Sequence, residues 1–102
     1  MRVVLCNTPQ DHAERIANEL VERRLAACVN IIASVLSIYR WKGTIERQTE
    51  STLLIKTRVE HLPALMSAIR ELHPYEVPEI VALQVEPSEV NPAYLQWLRD
   101  ET

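Results

Sequence analysis

The sequence predicts an α+β fold, a four-stranded sheet with two helices on one face, a long central hairpin and a short C-terminal helix. Three observations predict it. Two segments, about residues 13–21 and 62–72, repeat apolar side chains at helical spacing. Runs rich in β-branched residues lie around them, so the elements follow the order β-α-β-β-α-β, the split β-α-β or ferredoxin-like sandwich. The chain's single glycine, in Lys42-Gly43, stands between the two central runs, where a hairpin turn belongs.

Taken in order, Val3-Val4-Leu5 is a first strand closed by Thr8-Pro9. Thr8 is placed to cap the first helix, with Pro9 at its first position and Asp11 at its third, a capping-box-like start. Ala13, Ile16, Ala17, Leu20 and Val21 form the apolar face of that helix, about residues 9–25, while Glu14, Arg15, Glu19, Glu22 and Arg23 face away. From Ala27 to Trp41 the pattern becomes β; a bend near Ala33-Ser34 would shorten its reach but leave an overhang of several residues. Thr44 to Thr57 is its partner, polar through Glu46-Arg47-Gln48 and apolar at Leu53-Leu54-Ile55. Leu62, Leu65, Met66, Ile69 and Leu72 give the second helix, which His73-Pro74 stops because proline disfavours helical geometry at the preceding residue. Ile80, Val81, Leu83 and Val85 form the last strand, and Asn91-Pro92 opens a terminal helix carrying Tyr94, Leu95, Trp97 and Leu98.

With 102 residues, 47% hydrophobic and 25% charged, the chain has the balance of one globular domain spanning residues 1–102. Its net charge of −3 and lack of a basic stripe argue against a nucleic-acid partner. No apolar run approaches the ~18 residues of a membrane helix, and the N-terminal run is too short for a signal-peptide core. Cys6 and Cys28 read as free thiols of a cytoplasmic protein.

The central hairpin is too long for the body. Unbroken, residues 27–41 span about 50 Å at ~3.3 Å per residue, whereas a 100-residue globule is roughly 33 Å across. The overhang carries Leu36, Ile38, Tyr39, Trp41 and Ile45, which predicts a partner, most simply further copies of the same chain.

Several strings belong together: Leu25-Ala26-Ala27-Cys28-Val29-Asn30-Ile31, Ser37-Ile38-Tyr39-Arg40-Trp41-Lys42-Gly43, Leu54-Ile55-Lys56-Thr57, His73-Pro74-Tyr75-Glu76-Val77-Pro78-Glu79-Ile80 and Tyr94-Leu95-Gln96-Trp97-Leu98. With them the chain resembles, from Val3 to Leu98, the CutA family of divalent-cation tolerance proteins. The resemblance implies a PII-like homotrimer with clefts between subunits, and a link to copper and other divalent metals with no established reaction. Two positions depart from the family pattern: Ala33 stands where proline is common, and Leu72 where a second histidine is frequent.

Copper favours thiolate and imidazole. Cys6 and His73 match family positions implicated in metal binding, and Cys28 is a candidate third ligand; no single segment has metal-ligand spacing. His12 and His61, near helix starts, read as solvated. Lys56, inside an apolar strand, needs solvent or a partner; Glu50 and Glu79 are candidate partners, and Tyr39 and Tyr75 candidate hydroxyls. That set reads either as an anionic-ligand or metal pocket at a subunit boundary or as a structural ion pair. Trp41 and Trp97 read as interface and core anchors. No nucleophile elbow, phosphate loop or dinucleotide fingerprint is present, so the chain is not expected to be an enzyme, with Cys28/His73 the one nucleophile–base pair left open.

Overall fold

A computed structural model describes all of residues 1–102. The elements are β1 (Arg2–Thr8), α1 (Gln10–Glu22), β2 (Cys28–Trp41), β3 (Thr44–Thr57), α2 (Leu62–Leu72), β4 (Val81–Gln84) and α3 (Pro92–Asp100), with short 3-10 turns at Val59–His61 and Pro87–Glu89. The strands form one antiparallel sheet in the order β2-β3-β1-β4. This is the split β-α-β arrangement the element order predicts.

Strand alternation divides the sheet into two faces. On one, Val4, Cys6, Ser51, Leu53, Ile55 and Thr57 are buried beneath Ile16 and Leu20 of α1 and Leu65 and Ile69 of α2. Each large side chain enclosed there stabilises the fold by roughly 1.5–3 kcal/mol. The other face carries Val3, Leu5, Leu54 and Lys56, with Val81 and Leu83 of β4 in register beside Leu5 and Val3 and both about half exposed.

The hairpin is where the sequence puts it. Lys42 and Gly43 both have positive φ (49° and 82°), the type I′ pattern that matches strand twist. Register steps from Ile32↔Thr52 to Val35↔Glu50, leaving Ala33 and Ser34 as a bulge, at the one place where the sequence leaves room for a bend. The Ala33 carbonyl accepts from Ser51 Oγ at 2.8 Å and from Gln10 Nε2, which ties the bulge to β3 and α1. Beyond it the arm leaves the body and stretches the chain to 45 × 26 × 23 Å. Leu36, Ile38 and Ile45 are 55%, 58% and 58% exposed, and Tyr39 and Trp41 are exposed too.

Three local expectations fail. Thr8 does not cap α1: it is fully buried as the last residue of β1, its hydroxyl donates to the Pro9 carbonyl at 3.4 Å, and Pro9 takes the cap position with no side-chain bond. Helix α1 stops at Glu22 rather than 25. Arg24, at φ 59°, turns left-handed, Leu25 N–H bonds Leu20 O, and Arg24 N–H bonds Val21 O. That is a Schellman closure without the usual glycine. Val21 then lies at the margin of the apolar face, 42% exposed. By contrast, Asn91 caps α3 as expected, its Oδ1 accepting from Ala93 N–H at 3.1 Å.

Candidate functional site

The candidate residues gather where α2 ends. Pro74 forces His73 out of helical geometry (ψ 137°), so the imidazole swings over the end of β1 instead of continuing the helix. His73 Nε2 donates to the Asn7 carbonyl at 2.7 Å, and Nδ1 accepts from Tyr75 N–H at 3.1 Å. A carbonyl only accepts and an amide N–H only donates, so the ring is the Nε2–H tautomer with both nitrogens engaged. Cys6 Sγ leans on the same Asn7 oxygen at 3.8 Å. Cys6 and His73 therefore both contact the Asn7 carbonyl oxygen. Burial, then the nearby charges of Glu79 and Glu50, push the Cys6 thiol up to about 12, which keeps it protonated.

Beside this pair lies a second cluster. Tyr75 Oη donates to Glu50 Oε2 at 2.8 Å, and Tyr39 Oη donates to Gln48 Oε1 at 2.7 Å. Glu50 is only 4% exposed, and none of the protein's ion pairs includes it. Burial, followed by the bond to Glu50 and its charge, holds the Tyr75 phenol above its ordinary range. The tyrosines and Trp41 open onto a cavity of about 350 Å³ lined by Tyr39, Trp41, Pro74, Tyr75, Glu76 and Val77. Gln48, Glu76 and Asn7 were not singled out from sequence. Gln48 had a readable signal, since it lies two residues from Glu50 and so on the same face of β3.

Other candidates are not brought together. Cys28 is level with Lys56 and Val3 on the face opposite Cys6, and its thiol leans on Asn30 Oδ1 at 3.9 Å. The chain does not bring it to Cys6 and His73 as a third ligand, and no base stands beside it for the Cys28/His73 pairing. Lys56 is half-buried and in no ion pair, whereas Glu50 lies six residues along the strand, about 20 Å away at ~3.3 Å per residue. Glu79 is exposed, within electrostatic reach of Cys6 but not paired with Lys56. His12 and His61 are half-buried and bonded, to Arg15 at 2.8 Å and to the Thr102 carbonyl at 2.7 Å, so neither is simply solvated. Trp97 is 42% exposed, packed on Tyr94 at 5.5 Å and no core anchor. No three His, Cys, Asp or Glu side chains of the chain are grouped to hold a metal ion.

A family model for the CutA1 divalent ion tolerance protein matches residues 2–101. The chain belongs to the CutA1 family. It is 50% identical over 101 residues to the divalent-cation tolerance protein CutA of Thermus thermophilus, covering 98% of this chain and 96% of that one. It is 50% identical over 90 residues to mouse protein CutA, covering 88% of this chain but only 50% of the mouse protein. Among solved structures it superposes on the PII-like protein CutA from Nostoc sp. PCC 7120 in apo form with a TM-score of 0.95 at 41% identity, covering 100% of this chain and 97% of that one. Its match to the Thermus structure has a TM-score of 0.94 at 49% identity, over 100% and 99% of the two chains. The CutA1 fold is thus a mixed α+β, PII-like one. Relatives carry names such as chloroplastic in rice and periplasmic in Archaeoglobus fulgidus. No helix of the present chain is long and apolar enough to cross a membrane.

Proposed function

We propose that this CutA1-family chain is a homotrimer that binds divalent metal, copper foremost, and so contributes to metal tolerance. In this reading it is a single cytoplasmic domain over residues 1–102, without enzymatic activity and without a nucleic-acid or membrane partner. The observation that carries the metal assignment is the convergence of the Cys6 thiol and the His73 imidazole on the Asn7 carbonyl. Sulfur and nitrogen donors suit copper. Neither group is poised in advance: Cys6 must lose its proton and His73 must give up a hydrogen bond, so uptake is coupled to proton release. Cys28 joins such a site only from a neighbouring copy.

Calorimetry with copper on the wild type, Cys6→Ser and His73→Ala tests the site. Binding should weaken by about tenfold or more in each variant, and wild-type affinity should rise with pH by up to about tenfold per unit as the thiol proton is released. Unchanged binding across all three proteins removes the site.

The cavity at Tyr39, Trp41 and Tyr75 favours a second reading, a PII-like sensor holding a small ligand in a cleft. An anionic ligand there would look to Lys56, which does not line the cavity.

A further inference from the structure

We propose that Arg15 is a positioning residue for the His73 imidazole, holding the end of α2 against the stretch of chain that carries Cys6 and Asn7. The proposal rests on the metal reading and names a side chain, other than the thiol and the imidazole, on which that site depends. Every bond it uses lies within one chain, between α1, the end of α2 and the end of β1, with no residue of the arm among them.

Helix α2 ends, as every helix does, with carbonyls that lack an intrahelical partner. His73 N–H closes the last turn on Ile69 O at 2.8 Å, and Pro74 has no N–H to extend the ladder. The chain leaves helical geometry at His73, and no backbone amide reaches the Leu72 carbonyl. Arg15 fills that place from α1, its Nη2 donating to Leu72 O at 2.9 Å. A guanidinium suits the position, because it makes a charge-assisted bond at the negative end of a helix. Arg15 enters none of the chain's ion pairs, so no carboxylate competes for it. The same nitrogen bonds His12 Nδ1 at 2.8 Å, three residues earlier on α1. Arginine only donates, so His12 accepts and steers the guanidinium towards α2.

Leu72 immediately precedes His73. The imidazole is thus held at three points: the peptide behind it by Arg15, Nε2 by the Asn7 carbonyl at 2.7 Å, and Nδ1 by Tyr75 N–H at 3.1 Å. Asn7 and Arg15 belong to one stretch, β1 turning into α1 at Pro9, and Cys6 stands next to Asn7. Arg15 fixes the root of the ring independently of the two bonds at its nitrogens. The imidazole therefore keeps its place beside Cys6 when a metal ion replaces one of them.

The test follows the His73 Nε2–H proton by NMR in the full chain, with copper calorimetry alongside, in the wild type, Arg15→Ala, Arg23→Ala and His73→Ala. Bonded to Asn7 and only 7% exposed, His73 should exchange that proton slowly in the wild type. Arg15→Ala, at an exposed position where folding is not at issue, should speed the exchange about tenfold and weaken copper binding about tenfold. Arg23→Ala is the control: Arg23 also links to α2, through Glu71 at 3.8 Å, but touches no carbonyl next to His73, and its loss should change neither. An unchanged exchange rate in Arg15→Ala, or an equal rise in Arg23→Ala, would overturn the role of Arg15 whatever copper does. Copper bound equally by the wild type and His73→Ala would overturn the metal reading and leave the proton to decide on Arg15 alone.

Discussion

Burial decides what Cys6 can do. With the thiol pushed up to about 12 from its usual 9.0, the folded state holds this proton more tightly than the unfolded chain does. Its contribution to stability is therefore fully present below pH 9 and is lost as pH rises from 9 towards 12, at up to about 1.4 kcal/mol per pH unit. Urea unfolding at pH 8, 9 and 10 should show stability falling between 9 and 10 in the wild type and falling less in Cys6→Ser. Equal slopes would mean the thiol is not the titrating group. Tyr75, also raised, adds its own loss only above its ordinary 10.0, so the lower window isolates Cys6. On the proposed metal reading, the same protonated state makes copper binding strengthen with pH.

At the scale of elements, the hairpin turn is the cleanest place to test backbone against side chain. A Cβ built on Gly43 meets nothing within 4 Å, yet its φ is +82°. Gly43→Ala should thus cost about 1–2 kcal/mol from conformation alone, read as a lower urea midpoint; an unchanged midpoint would exclude the type I′ turn. The left-handed Arg24 shows the opposite balance. Its strain is offset where its guanidinium donates to the Asp100 carbonyl at 2.9 Å, at the C-terminal end of α3. Turn and period were readable in the chain because both are short-range; the real end of α1 was not, because a non-glycine residue made the closure.

For the whole molecule, the arm sets the question. Leu36, Ile38 and Ile45 are more than half exposed, and β2 and β4 are both edge strands with unpaired backbone. Burying such side chains contributes roughly 1.5–3 kcal/mol each, which a second and third copy of the arm would supply. Sedimentation at micromolar concentration should give about three times the protomer mass of 11.7 kDa. Leu36→Lys combined with Ile38→Lys should shift the mass towards the protomer. A wild type that sediments as a single protomer would refute the trimer and remove any pocket between subunits.

The chain by itself determined its element order, the hairpin, and the residue types from which a site is drawn, because periodicity, turn chemistry and proline geometry act over a few residues. Which of those types meet was decided only by the tertiary structure. Strand parity put Cys6 and Cys28 on opposite faces, β3 separated Lys56 from Glu50, and the chain beyond Pro74 carried Tyr75 onto Glu50. Those meetings depend on strand order and register, which are set by packing across the sheet and not by any local run of sequence.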